Sequence, residues 1–95
     1  MSRFKAGDKV KIISLDNTGR TILPLTSTKR RWFNEQVTLI VISLDKSDNT
    51  LRLNDGIIDQ WVHYKDVVNI IKINPINKIL YPDYVEEDGY LVPKD

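Results

Sequence analysis

The chain has 95 residues and no Cys, with 14 Lys and Arg against 13 Asp and Glu. That length holds a single domain with one core, and the lack of Cys excludes disulfides, thiolate catalysis and cysteine-ligated metal centres. A net charge of +1, with 41% hydrophobic and 28% charged residues, fits a folded soluble chain with no overall pull toward nucleic acid or an anionic membrane. The near-neutrality is a cancellation: residues 1–36 carry +5, residues 37–71 carry −2 and residues 72–95 carry −2. Ile occurs 12 times and Val 8 times against a single Ala. β-branched side chains are stiff at χ1 and suit a pleated surface, whereas Ala favours helix, so the composition points to an all-β chain. The N-terminus has no apolar leader and the longest apolar run is Leu39–Ile42, so neither a secretion signal nor a membrane span is expected and a cytoplasmic setting follows.

In chain order, Gly7 and Asp8 form a turn. Lys9 and Lys11 then alternate with Val10 and Ile12, the period of a strand with one face on a core. Residues 14–36 show no sustained period and contain Asn17, Gly19, Pro24 and the Thr26–Thr28 cluster. They read as a long loop or irregular hairpin, with Ile22, Leu23 and Leu25 folding back on the core. Val37–Leu44 is apolar or β-branched at nearly every position, as expected of a central strand covered on both faces. A polar turn, Asp45–Asn49, leads to a strand at Thr50–Leu53, and Asp55-Gly56 then makes a second tight turn. Ile57–Val62 supplies a fourth strand, His63–Asp66 a single helical turn, and Val67–Ile71 the last core strand. Three of the four prolines (Pro75, Pro82, Pro93) and three of the four tyrosines (Tyr81, Tyr84, Tyr90) follow, beside Glu86, Glu87 and Asp88. That density of proline predicts an extended arm rather than a helix. Ile76, Ile79, Leu80 and Val85 offer the apolar area to hold it on its own barrel or on a symmetric neighbour.

The opening Phe4-Lys5-Ala6-Gly7-Asp8-Lys9-Val10, the segment Leu51-Arg52-Leu53-Asn54-Asp55-Gly56, and Trp61-Val62 followed by Asp66-Val67-Val68 resemble the small SH3-like barrels of bacteria and phages, among them KOW-type and Tudor-like domains. The resemblance covers roughly residues 3–72. It implies a five-stranded SH3-like barrel over residues 1–72, with a long early loop and, over residues 73–95, a Pro/Tyr-rich acidic C-terminal arm. The loop and the arm depart from the minimal pattern, and additions to a shared scaffold are where function is expected.

The sharpest local feature is Lys29-Arg30-Arg31-Trp32-Phe33. Adjacent cations and rings could neutralise phosphates while a ring stacks on a base, or the rings could close the barrel while the cations meet an acidic protein. A protein partner is therefore expected at Lys29, Arg30, Arg31 and Trp32, together with Tyr84, Glu86, Glu87 and Tyr90 of the arm. The competing reading is KOW-type nucleic-acid binding through Lys5, Lys9, Lys11, Arg20, Lys29, Arg30 and Arg31. Trp61 reads as a core residue and Tyr64 as packing the helical turn, rather than the two forming an aromatic cage. His63 is the only histidine and no ligand spacing surrounds it; Asp45, Asp48 and Asn49 lack the glycine and the Glu of a calcium loop. No Ser stands in a nucleophile elbow and the glycines are too scattered to cradle phosphate. No catalytic residue, metal or cofactor is expected. The chain reads as a non-catalytic binding module, a small phage or phage-like accessory protein in a bacterial or infected cell that binds and modulates a protein of the host, with self-association left open.

Overall fold

The structure, a computed structural model, describes residues 4–17, 23–87 and 89–93. It is mostly β, in two antiparallel sheets. The larger is built from β1 (Lys9–Ile12), β2 (Leu39–Asp45), β3 (Thr50–Asn54), β4 (Asp59–His63) and β5 (Val67–Asn69), in the order β4-β3-β2-β1-β5. A one-turn 3₁₀ helix, Tyr64–Asp66, joins β4 to β5. The smaller sheet has β6 (Ile71–Lys72), β7 (Tyr84–Glu87) and β8 (Tyr90–Pro93) in the order β6-β8-β7. The expected closed barrel is not seen: among the described residues the five strands form an open order, and no ladder joins β4 to β5 at its two ends.

Local chemistry explains the starts and turns. Gly7 takes a positive φ of 95°, a conformation that favours glycine, and Asp8 clamps the turn by accepting the Lys5 N–H at 2.9 Å. The two-residue alternation then places Val10 and Ile12 inward and Lys9 outward. Gly56, at φ 101°, follows Asp55, whose carboxylate accepts the N–H groups of Ile57 and Ile58, both at 2.9 Å. The core forms on one face of the larger sheet, from Val10, Ile12, Leu39, Val41, Leu51, Leu53, Val62 and Val67, with Trp32 and Phe4 packed across it. β2 is central in the order, but only one of its faces is covered. Ile42, at the bulge between Val41 and Ser43, is 43% exposed.

Two expectations are corrected. Residues 14–36 are not a loop throughout, because Ser27–Asn34 forms the helix α1. Thr26 caps its start by accepting the Lys29 N–H at 3.1 Å. Its end is closed by Gln36 at φ 50° with bonds from Gln36 N to Phe33 O and from Val37 N to Trp32 O, the paired pattern that satisfies the last carbonyls. Lys29 and Trp32, three apart, are its only buried residues, and so short an inward face leaves no visible period. Leu23 is buried and Leu25 half-buried; Ile22 and Gly19 lie outside the described residues.

The C-terminal arm is likewise not extended. It folds as α2 (Pro75–Leu80) and the β7–β8 hairpin. Proline does not oppose this helix, because Pro75 occupies its first turn, where a missing N–H and a fixed φ cost nothing. Asn74 caps the helix by accepting the Asn77 N–H at 2.7 Å. The arm is held by the buried Ile71, Leu91 and Val92, through the ladder pairs Ile71↔Leu91 and Val85↔Val92. The Tyr84 hydroxyl also donates to Asp8. Ile76, Ile79, Leu80 and Val85, expected to hold the arm down, are instead exposed.

Candidate functional site

The basic segment that led the expected site is largely consumed by the fold. Lys29 is 2% exposed, its Nζ donating to the Pro24 carbonyl at 3.0 Å. Burial lowers its pKa, opposed by the charge of Asp66. Trp32 is fully buried and its Nε1 donates to Asp55 Oδ2 at 3.0 Å, so its ring is no platform for a base. Arg31 is exposed but pairs with the same oxygen at 3.2 Å. Asp55 thus accepts from two turn amides, an indole and a guanidinium, which hold its carboxyl down at about 2. Only Arg30 of the triplet stays in water without an assigned structural task. Consecutive residues on a helix point about 100° apart, so three adjacent cations cannot share one face.

The other basic candidates scatter. The Lys5 ammonium stands 5.2 Å over the Tyr84 ring, Lys9 and Lys11 lie on β1, and Arg20 falls outside the described residues. Trp61, expected in the core, lies on the outer face of edge strand β4 at 39% exposure, opposite Arg52 in the ladder. Arg52 is itself paired with Asp59 at 2.5 Å. Tyr64 is half-buried, packs on the core and stacks on His63 with ring centroids 5.1 Å apart. His63 caps the 3₁₀ turn, its Nδ1 accepting from Lys65 N at 3.3 Å. Below it Asp66, fully buried, accepts from Ser14 Oγ and from Asn17 N, which ties the segment after β1 to the turn.

The arm residues divide between two faces. Tyr84 faces the β1 turn: burial raises its pKa, as does the bond it donates to Asp8. Asp8 is 1% exposed, and burial raises its pKa against the lowering effect of that bond. Glu86 pairs with Lys78 of α2 at 2.9 Å. Glu87 and Tyr90, directly paired across the hairpin, turn instead into a cleft between the two sheets.

That cleft is a concave site built from residues of both sheets, and its volume is about 350 Å³. Three rings line it, Phe4, Tyr64 and Tyr90, with the aliphatic side chains of Ile13, Val67, Val68 and Val92 between them. Asn69, Lys65 and Glu87 supply the polar groups. An apolar, aromatic lining with a few polar groups is the ordinary make-up of a binding cleft. Of the lining, the sequence singles out Glu87 and Tyr90 as site residues and sets Tyr64 aside as structural; the cleft itself is not legible, since Phe4 and residues 64–69 meet the β7–β8 hairpin only in three dimensions.

A second, convex feature stands on α2. Ile76, Ile79 and Leu80 are 69%, 77% and 64% exposed, and their i, i+3, i+4 spacing puts them on one face of the helix. No residue of α2 is buried. Among the described residues no group of three or more His, Asp or Glu comes together to hold a metal ion, and no helix is long and apolar enough to cross a membrane. Compared with protein-family models, curated proteins and solved structures, the chain matches none.

Proposed function

We propose that this chain is a non-catalytic module that binds a protein, and that its contact surface is the cleft between the two sheets rather than the basic segment around α1. The observation that carries this reading is the cleft itself, with Phe4, Tyr64 and Tyr90 converging on one apolar concavity edged by Lys65 and Glu87. Rings present large, rigid contact area at low entropic cost, and the two opposite charges orient a polypeptide without favouring a polyanion. Strand order and the helical turn before β5 support an SH3-like architecture of the KOW or Tudor-like kind, with the second sheet as its addition. The Ile-rich, Ala-poor composition supports a place among small phage or phage-like accessory proteins that act on a protein of the host in the cytoplasm.

Nucleic-acid binding stays as a second reading on one observation. The register puts Lys9, Lys11, Arg52 and the exposed Trp61 on the outer face of the larger sheet. Asp59 neutralises Arg52 on that face, which is why this reading comes second.

The test compares wild type with Val68→Arg, which fills the cleft from β5, and with a Lys9→Glu/Lys11→Glu double variant. Each is used as immobilised bait against nuclease-treated host extract and titrated with short single-stranded and duplex oligonucleotides at two salt concentrations. A protein retained by wild type and by the double variant but lost with Val68→Arg supports the cleft reading. Oligonucleotide affinity that falls steeply with salt and vanishes in the double variant overturns it in favour of the second.

A further inference from the structure

Phe4, Tyr64 and Val67 stand on one side of the cleft, and the β7–β8 hairpin supplies Glu87, Tyr90 and Val92 from the other. The two walls are not built alike. Phe4 and Val67 belong to the main core cluster and Tyr64 packs against it, whereas Leu91 and Val92, buried in the hairpin, stand outside that cluster. The hairpin meets β6 through two ladder pairs, Ile71↔Leu91 and Lys72↔Tyr90, and its outer strand β7 buries no residue. Elements with few buried apolar contacts open at a lower free energy than the core that carries them.

A buried polar cluster fixes the hairpin from the β7 side. The Tyr84 hydroxyl donates to Asp8, whose side chain belongs to a residue only 1% exposed and also accepts the Lys5 N–H at 2.9 Å. The Lys5 ammonium lies 5.2 Å from the Tyr84 ring centroid, and the Tyr81 ring lies 4.9 Å from that of Tyr84. Asp8 is anchored in the larger sheet: its carbonyl accepts from Val41 N at 2.9 Å, and the Gly7 N–H beside it donates to Val41 O at 2.7 Å. A fixed acceptor thus meets a donor on a lightly packed element.

From this we infer that the β7–β8 hairpin is a latched, pH-responsive wall of the cleft: Asp8 and Tyr84 hold it shut, and release of that pair lets it swing from the larger sheet while the core stays folded. The latch builds on the cleft as the contact surface and supplies its regulation, because a hairpin swung out carries Glu87, Tyr90 and Val92 away from Phe4 and Tyr64.

Burial sets the direction of the pH response. Docking of the hairpin takes Asp8 out of water, which disfavours the charged carboxylate and raises its pKa; the Tyr84 and Lys5 donors and the Lys5 charge oppose this without cancelling it. Lys5 before β1, Tyr84 on β7 and Tyr81 at the end of α2 are the titratable groups around the pair, and Lys65 and Glu87 are the charged groups of the cleft. A hairpin swung out returns Asp8 to water and toward its ordinary 3.8. The shut form therefore holds the proton more tightly. The contribution of Asp8 to closure is complete below 3.8 and is lost as pH rises through the docked value.

The experiment is amide hydrogen exchange on the full chain between about pH 4 and pH 7, corrected for intrinsic exchange rates, in wild type, Asp8→Asn and Tyr84→Phe. Far-UV circular dichroism is the folding control, and the wild-type series alone tests the pH response should a variant fail it. In wild type, β7 and β8 are expected to exchange together, with protection below that of β2 and β3 and falling as pH rises. Asp8→Asn, neutral at every pH, abolishes the fall. Tyr84→Phe lowers hairpin protection by roughly 5- to 150-fold near neutral pH and by less at the acid end, where the carboxyl it leaves behind is uncharged. Hairpin amides protected as strongly as those of β2 and β3 at every pH overturn the latch, since the hairpin then opens only with the whole fold. Hairpin protection that does not vary with pH, or a fall that persists in Asp8→Asn, overturns it as well. Failure of the latch shows in exchange alone, and failure of the cleft reading in a captured protein that survives Val68→Arg.

Discussion

The larger sheet with α1 and the smaller sheet with α2 treat the same kinds of side chain in opposite ways. In the first, a short helix with only two inward residues is locked in place: Trp32 is fully buried and its indole N–H is satisfied by Asp55. In the second, a shorter helix with three large aliphatics buries none of them, although its cap and its first-turn proline are well formed. α1 is therefore stabilised by packing, whereas α2 is stabilised by local bonds and leaves its apolar face outward. The difference teaches that apolar content alone does not say where a helix rests. In this chain packing takes up most of the cationic run and leaves the α2 aliphatics exposed.

The comparison is broken most severely from the first side. Trp32→Ala removes the largest core side chain and is expected to cost about 3–5 kcal/mol in equilibrium denaturation, more than any single substitution in the second unit. A smaller loss is expected from Tyr84→Phe. It deletes the donor to the buried Asp8 and is expected to cost about 1–3 kcal/mol, read locally as weakened hydrogen-exchange protection of β7 and β8 with β2 and β3 little changed. Asn74→Ala, which removes the α2 cap, is expected to cost about 1 kcal/mol and to lower protection only over residues 75–81.

Acid titration sharpens the contrast between the two carboxylate environments. The carboxyls of Asp55, Asp45 and Asp59 are held below their unfolded value of 3.8 by the donors around them. Their stabilisation is complete above that value and is lost as pH falls through the folded one, about 2 for Asp55. Asp8 works the other way: burial raises its pKa, so its contribution is present at low pH and is lost as pH rises through the folded value. Melting temperature is accordingly expected to fall between about pH 4 and pH 2. Asp55→Asn is expected to flatten that fall, whereas Asp8→Asn leaves it unchanged and instead removes the loss of stability that sets in as pH rises above 3.8. The smallest change in stability is expected for Ile79→Glu, within about 0.5 kcal/mol, since the side chain is 77% exposed.

Much of the larger sheet was legible residue by residue. The alternation Lys9-Val10-Lys11-Ile12, the apolar run in β2, Asp55-Gly56 and the turn at Tyr64–Asp66 each carry their own local signal, and each stands where it was expected. α1 was hidden because a helix resting on one tryptophan and one lysine stem has no periodicity to detect, and Lys29 read as a surface cation because nothing in its neighbours foretells the Pro24 carbonyl waiting for it. α2 was hidden by counting prolines rather than placing Pro75 at a helix start.

The functional candidates divide along the same line. Glu87 and Tyr90 are legible as candidates one by one, but nothing in their spacing could unite them with Phe4 and Tyr64. By itself, the sequence determined a single small β-rich domain with its turns and most of its strands, because those depend on contacts between near neighbours. Only the tertiary structure decided which cations are buried, which aliphatics are left in water and where the concave surface lies, because each of these depends on segments tens of residues apart meeting across the two sheets.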